Sequence, residues 1–242
     1  MDRPKKGKYL AGFYSKEELA ALFEATKDDS MAVVIQLAAY YGLRRSEVLG
    51  IRWSAVDFER GTVSINHTVM ETTVDGQHKL FTEDKLKTKS SFRTLPLIPA
   101  VRTLLEEQKE KQDRYRKLFR KFYCRDYEDY VCADEMGKLF RPHYVTDHFN
   151  ILLKRHGLRH IRFHDLRHSC ASLLLSQSIP MKQIQDWLGH STFATTADFY
   201  SHLDFNSKQE SADAIAATFA PPEPDEPEEA EQEPGFGMTM GK

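Results

Sequence analysis

The stretch AVVIQLAAYY, residues 32–41, is interrupted only by Gln36 and closes on Gly42. With Ala32, Val33, Ile35, Leu37, Ala38 and Tyr41 in one run, it reads as a helix too apolar to face water, and Gly42 reads as its stop. A chain containing such a helix has to build a core on it. Directly after the stop stand Arg44 and Arg45, and Ser46 and Glu47 open a second short helix carrying Val48, Leu49 and Trp53. Guanidinium groups at the junction of two core helices need partners. This stretch leaves two readings open. Either one arginine is solvated while the other pairs with Glu47, or the planar fork of donors holds an anion such as phosphate.

The surrounding pattern is mixed α+β and mainly α. Ser15-Lys16-Glu17-Glu18 reads as a capping box opening an amphipathic helix through Leu19, Leu22 and Phe23. Gly61 to Thr73 alternates, through Val63, Ile65, His67 and Val69, like a strand, and Asp75-Gly76 is a hairpin signal. Leu80 to Leu97 continues with β character and a second turn near Ser90-Ser91, which predicts one small antiparallel sheet of about three strands. Pro99 to Phe122 reads as a long charged helix with Val101, Leu104 and Leu105 on one face and Leu118 and Phe122 toward its end. Tyr130 and Val131 fall in a short irregular stretch. Helical patterns follow over 143–156, 164–176, 181–188, 195–203 and 207–219.

Charge divides the chain more sharply than its total of -2 implies. Between residues 221 and 242, seven carboxylates (Glu223 to Glu233) face only Lys242, a net of -6, so residues 1–220 carry +4. Five of the ten prolines lie in the same tail, whose composition cannot bury a core and reads as disordered. A mildly basic folded part is compatible with DNA without establishing it. No run approaches the roughly 18 apolar residues of a membrane span, and MDRPKKGKYL lacks a signal-peptide core, so a cytoplasmic protein is expected. Cys124, Cys132 and Cys170 are odd in number and show no CxxC spacing, which points to reduced thiols.

Two further stretches carry chemistry. In RHIRFHDLRHSCASLL (159–174), His164 and Arg167 lie three apart at a helix start, where both can project from one face. In WLGHSTFATTADFYSHL (187–203), Gly189 ends a helix, His190 follows at once, and Tyr200 stands ten residues later. Each piece also has a plainer reading. His160, His164 and His168 at i, i+4 and i+8 suit a zinc face, although Arg159, Arg162 and Arg167 would crowd a cation. His190 suits a helix terminus, and Tyr200 a half-buried core aromatic. Residues 164–190, with a turn near Ser178-Ile179-Pro180, also match a helix-turn-helix regulator that cuts nothing.

Taken in order, Gly-Leu-Arg-x-Ser-Glu at 42–47, His-x-x-Arg at 164–167, Leu-Gly-His-Ser at 188–191 and Tyr200 resemble the tyrosine recombinase (phage integrase) family. The resemblance runs from about residue 10 to residue 205. It is closest in flavour to the integrases of phages and conjugative transposons, because LKTKSSFRTLPL (86–97) resembles their β-hairpin. It implies a catalytic domain over 10–206, after a basic lead-in at 1–9. A C-terminal helix at 207–219, with Ala212, Ile215, Ala216 and Phe219 on one stripe, follows as a candidate for packing on a partner protomer or on its own core. The acidic tail occupies 220–242. The resemblance further implies double-stranded DNA as partner, a homo-oligomer (tetramer) on that DNA, and an amino-terminal core-binding clamp in the full-length protein that these residues do not contain. No metal or cofactor is implied.

Carried over residue by residue, the resemblance makes Arg44 the family's first arginine and leaves Arg45 on a variable position. His164 and Arg167 match the second box, His190 the third, and Tyr200 the nucleophile. The His190–Tyr200 spacing is one longer than in some branches of the family, but Phe199 has no nucleophilic oxygen. Lys87 precedes the turn as the family's lysine does, and Lys89 lies on the same strand face. The implied reaction is attack of a tyrosine oxygen on a phosphodiester, giving a 3'-phosphotyrosine and a free 5'-hydroxyl. Two arginines and a histidine stabilise the charge, His164 is the candidate base, and a hairpin lysine is the acid. A type IB topoisomerase-like nicking and closing activity shares this chemistry and stands as the alternative enzyme.

Overall fold

The computed structural model describes residues 12–84 and 92–189. Helix α1 (Lys16–Thr26) starts at the expected capping box: Glu18 N–H donates to Ser15 Oγ at 3.2 Å, and Ser15 N–H donates to Glu18 Oε2 at 2.9 Å. Helix α2 (Ala32–Tyr41) is the apolar run, and eight of its ten residues are buried. It packs against α1 and, further along, α4 (Pro99–Phe119) and α6 (Asp165–Ser176). Gly42 ends it at φ 59°, a left-handed conformation that favours glycine. A Cβ there would also lie 2.3 Å from Leu188 Cδ2, so the close approach requires glycine twice over. The short α3 (Arg45–Leu49) follows.

The fold class matches the sequence reading, but the β structure is divided in two. Strands β1 (Val56–Asp57), β2 (Thr62–Ile65) and β5 (Arg93–Pro96) form one antiparallel sheet in the order β1-β2-β5. Strands β3 (Thr68–Val74) and β4 (Gln77–Glu83) form a separate hairpin. Its two-residue turn, Asp75 at φ 52° and Gly76 at φ 76°, has the doubly positive φ of a tight hairpin turn, as the Asp-Gly pair predicts. The expected single strand over 61–73 breaks at Asn66-His67. Val63, Ile65, His67 and Val69 are all buried, so the alternation runs through the break without marking it. His67 fills its inward place with side-chain partners instead of with strand pairing.

Helix α4 starts on Pro99 and ends at Phe119, followed by a single 3-10 turn over 120–122. Val101 and Leu105 are buried as expected. Leu118 and Phe122, toward its end, are 70% exposed, because the helix runs past the core. The inward place on its last covered turn belongs to Gln112, which accepts from Trp53 Nε1 at 2.9 Å and donates to the Tyr130 and Val131 carbonyls. Those two residues pair back onto Ile51 and Arg52 and are buried. Helices α5 (Pro142–Arg155) and α7 (Met181–Leu188) complete the described elements, with Val145, Phe149, Leu152, Ile184 and Leu188 in the core. The three cysteines are free thiols. Among the described residues no helix is long and apolar enough to cross a membrane. The helical patterns at 195–203 and 207–219, the turn near Ser90-Ser91 and the acidic tail lie outside the described residues.

Candidate functional site

The last carbonyl groups of α7 gather three arginines. Arg93 Nε donates to the Trp187 carbonyl at 2.8 Å, Arg167 Nη2 to that of Leu188 at 2.7 Å, and Arg44 Nη2 to that of Gly189 at 3.4 Å. Arg167 Nη1 also donates to the Gly42 carbonyl at the end of α2, at 2.5 Å. Helix C-termini present unpaired carbonyls and partial negative charge, so cations are favourable there. Each arginine arrives by a different route. Arg44 stands at the N-cap of α3. Arg167 lies in the first turn of α6. Arg93 lies in β5 opposite Ile65, and the strand alternation turns it and Leu95 to the buried face.

A single carboxylate binds Arg44 and Arg93 and lies within the field of Arg167. Glu47, 2% exposed, accepts from Arg44 Nη1 at 2.6 Å and Arg93 Nη2 at 3.1 Å, and also from the Arg44 backbone N–H at 3.1 Å. Burial works to raise its pKa, but Arg93, Arg44 and Arg167 outweigh burial and hold the carboxyl below its ordinary value. Burial and Arg44 push Arg167 down to about 9 against the pull of Glu47, which leaves it cationic at neutral pH. Three guanidinium groups against one carboxylate give the cluster a net charge of +2. Arg167 is buried, whereas the Arg44 side chain is 38% exposed, so charge meets solvent at Arg44.

The start of α6 is fixed by Asp165, fully buried, which takes the Arg162 backbone N–H and the Arg162 guanidinium at 2.8 Å each. His164, at the N-cap, is exposed. The protein packed around it, with the charges of Arg167, Arg162 and Arg44, lowers its pKa against the opposing effect of Asp165. The ring is therefore neutral at pH 7 and can accept a proton. His168 stands edge-on to it at 5.1 Å, and burial together with His164 drives His168 down to about 4.

Of the residues expected to act, Arg44, His164 and Arg167 meet in one electrostatic neighbourhood; Lys87, Lys89, His190 and Tyr200 lie outside the described residues. His190 follows Gly189 directly, and the Gly189 carbonyl is the one that Arg44 takes. Arg45 donates to Thr146 Oγ1 on α5 and is a packing residue. Glu47 and Arg93 were not foreseen as site residues. Glu47 was visible as a pairing partner and as the last residue of the 42–47 motif, and the signal for Arg93 was an arginine in register with inward-facing Leu95. The zinc face fails on geometry: α6 begins at Asp165, so His160 precedes the helix and does not share a helical face with His164 and His168. Among the described residues, no group of three His, Cys, Asp or Glu is placed to hold a metal ion.

Comparison with known proteins gives the family and the fold. The chain is 28% identical over 211 residues to a tyrosine recombinase XerC-like protein of Caldanaerobacter subterraneus, covering 85% of this chain and 54% of the relative. It is 29% identical over 205 residues to the ICEBs1 integrase of Bacillus subtilis, covering 84% and 54%. The chain thus spans about half the length of the curated relatives it matches. The fold is that of the Tn1549 transposon integrase in complex with circular intermediate DNA, with a TM-score of 0.70 and 19% identity over 89% of this chain and 70% of that one. It is similarly that of the XerA recombinase, with a TM-score of 0.60 and 22% identity over 91% and 67%. The phage integrase family model matches residues 13–207, and by that match over most of its length the chain belongs to the phage integrase family.

Proposed function

We propose that the chain is the catalytic part of a site-specific recombinase that cuts and rejoins double-stranded DNA through a 3'-phosphotyrosine on Tyr200. The observation that carries this reading is the cluster of Arg44, Arg93 and Arg167 around Glu47. A phosphodiester bears one negative charge and gains a second as it is attacked. A fixed site of net charge +2, already held in place by carbonyls and a carboxylate, stabilises that gain without reorganising.

In the proposed step the Tyr200 oxygen attacks phosphorus while the bond from phosphorus to the 5'-oxygen breaks. The tyrosine proton passes to His164, whose neutral ring is free to take it. The departing 5'-oxygen takes a proton from Lys87, and His190 donates to a non-bridging oxygen. Rejoining reverses these transfers. Because the phosphoester energy is kept in the tyrosyl bond, no ATP is consumed. Two relatives of this kind, a tyrosine recombinase and an integrase, support the reading by name, and a fold neighbour is seen in complex with DNA. Assembly as a tetramer on cellular DNA in the cytoplasm, with an amino-terminal clamp in the full-length protein, belongs to the same proposal.

The test is a nicked suicide substrate incubated with the wild-type chain and with Tyr200→Phe, in excess EDTA. The wild type is expected to become covalently joined to a 3' end and the variant to bind DNA without joining it. An adduct with Tyr200→Phe overturns the assignment.

A further inference from the structure

A second concentration of positive charge shares no residue with the arginine site. From Arg114 to Arg125 the chain reads RYRKLFRKFYCR, six cations in twelve residues with no carboxylate between Asp113 and Asp126. Gln112 is the last buried residue of α4, so the helix continues for seven residues, about 10 Å, past the core. A helix draws most of its stability from packing, and this projection buries little. Arg116, Lys117, Arg120, Lys121 and Arg125 line one open groove at its end, and among the described residues no other lines it.

Part of this charge answers local demands. Cations suit a helix C-terminus, but the effect falls off within the last turn, which holds only Arg116 and Lys117. Arg116 also pairs with Asp113 at 2.8 Å, and Arg116 and Arg125 each lie 3.5 Å from Glu128. Lys117, Arg120 and Lys121 are exposed and make no ion pair among the described residues. The groove is also held in shape. The backbone turns at Arg120, φ 47°, and Tyr123 beyond it is buried, with Arg116 5.8 Å over its ring. Cys124 N–H donates to the Met136 carbonyl at 2.7 Å. Exposed Leu118 and Phe122 stand beside the groove and do not line it. A protein partner would need an apolar centre to its interface, whereas a row of phosphates needs only cations.

We propose that this groove is a second DNA-binding surface, which holds the phosphate backbone of duplex DNA without reading its sequence. The proposal rests on the reading that the chain acts on duplex DNA, and it needs neither Tyr200 nor cleavage.

The experiment measures binding of an unnicked duplex of about 40 base pairs and arbitrary sequence by fluorescence anisotropy, from about 50 to 200 mM salt. Wild type is compared with the triple variant Lys117→Gln, Arg120→Gln, Lys121→Gln. A control triple, Lys16→Gln, Lys27→Gln, Arg60→Gln, removes as many exposed cations elsewhere. Each phosphate contact adds about 0.9 to the slope of log affinity against log salt, so the groove triple should lose about 2.7. Its affinity deficit should then shrink about 40-fold across that salt range, while the control keeps a slope within about 0.5 of wild type. If circular dichroism shows the triple unfolded, the double Lys117→Gln, Lys121→Gln is read in its place, with an expected loss of about 1.8. An unchanged slope, or equal loss in both triples, overturns the proposal. An unchanged slope with polyglutamate bound by wild type and not by the groove triple overturns it in favour of an acidic protein. Failure of the wild type to join the suicide substrate refutes the recombinase reading instead and leaves the salt slopes to judge the groove.

Discussion

Replacing Glu47 by glutamine tests the architecture of the arginine site without touching any group proposed to react. The change is isosteric and removes one charge from a position 2% exposed to solvent, where it faces Arg44 at 2.6 Å and Arg93 at 3.1 Å. One amide oxygen can still accept from one arginine, but the amide nitrogen then points its hydrogens at the other. Removing one partner of a buried ion pair costs about 3–5 kcal/mol, because the remaining charge stays desolvated. For a folded unit of this size, each kcal/mol shifts the melting temperature by about 2–4 °C, so Glu47→Gln should melt about 6–20 °C below wild type at pH 7. The difference must also depend on pH. The Glu47 carboxyl is held below its ordinary value of 4.5 in the folded state. Its stabilisation is therefore complete above the unfolded value and is lost as pH falls through the folded one. Urea unfolding of both proteins from pH 7 down to pH 3 should show the gap between them constant at first and then closing below about pH 4.5. A variant within about 1 kcal/mol of wild type at pH 7, or a gap that does not close in acid, refutes the view that Glu47 holds the arginines together.

Other consequences are equally direct. Arg167→Lys keeps the charge but cannot bridge the Gly42 and Leu188 carbonyls as a fork does; cleavage should fall about 10²–10³-fold with DNA affinity nearly kept, measured by single-turnover rates and gel shift. Cleavage by the wild type should fall in acid with a midpoint below 6.5, as His164 becomes protonated at its lowered pKa, and His164→Gln should remove that limb from the pH–rate profile. Gly42→Ala forces a Cβ to within 2.3 Å of Leu188 at φ 59° and should destabilise by at least about 2 kcal/mol in denaturant titration. Excess EDTA should leave the cleavage rate unchanged, because arginines supply the charge that many phosphoryl-transfer enzymes take from magnesium.

Local signals in the sequence were read most faithfully where one residue type satisfies one physical demand. The capping box at Ser15 and Glu18, the Asp75-Gly76 turn and the glycine stops of α2 and α7 all stand where those residues placed them. Of the two answers open for Arg44 and Arg45, the structure bears out the pairing with Glu47: Arg44 makes that pair, which is part of an arginine cluster, while Arg45 packs on Thr146. Arg93 was passed over because it pairs with residues 46 and 94 positions away, which no local pattern reports. The division of the sheet was hidden for a related reason. His67 sustains the alternation as an apolar residue would, and its partners Asp84 and Tyr130 come from elsewhere in the chain. The exposure of Leu118 and Phe122 was not legible either, since helical periodicity says which face is apolar and not where the core ends.

The central claim of the proposed function is that Tyr200 becomes esterified to a 3'-phosphate. Its most direct measurement is to trap the protein on a nicked suicide substrate, digest both components, and identify by mass spectrometry the peptide that carries a nucleotide. The account predicts one modified peptide, with the nucleotide on Tyr200 joined through its 3'-phosphate and a free 5'-hydroxyl on the released strand. A nucleotide on any other residue, attachment through a 5'-phosphate, or cleavage that leaves no nucleotide on the protein would contradict it.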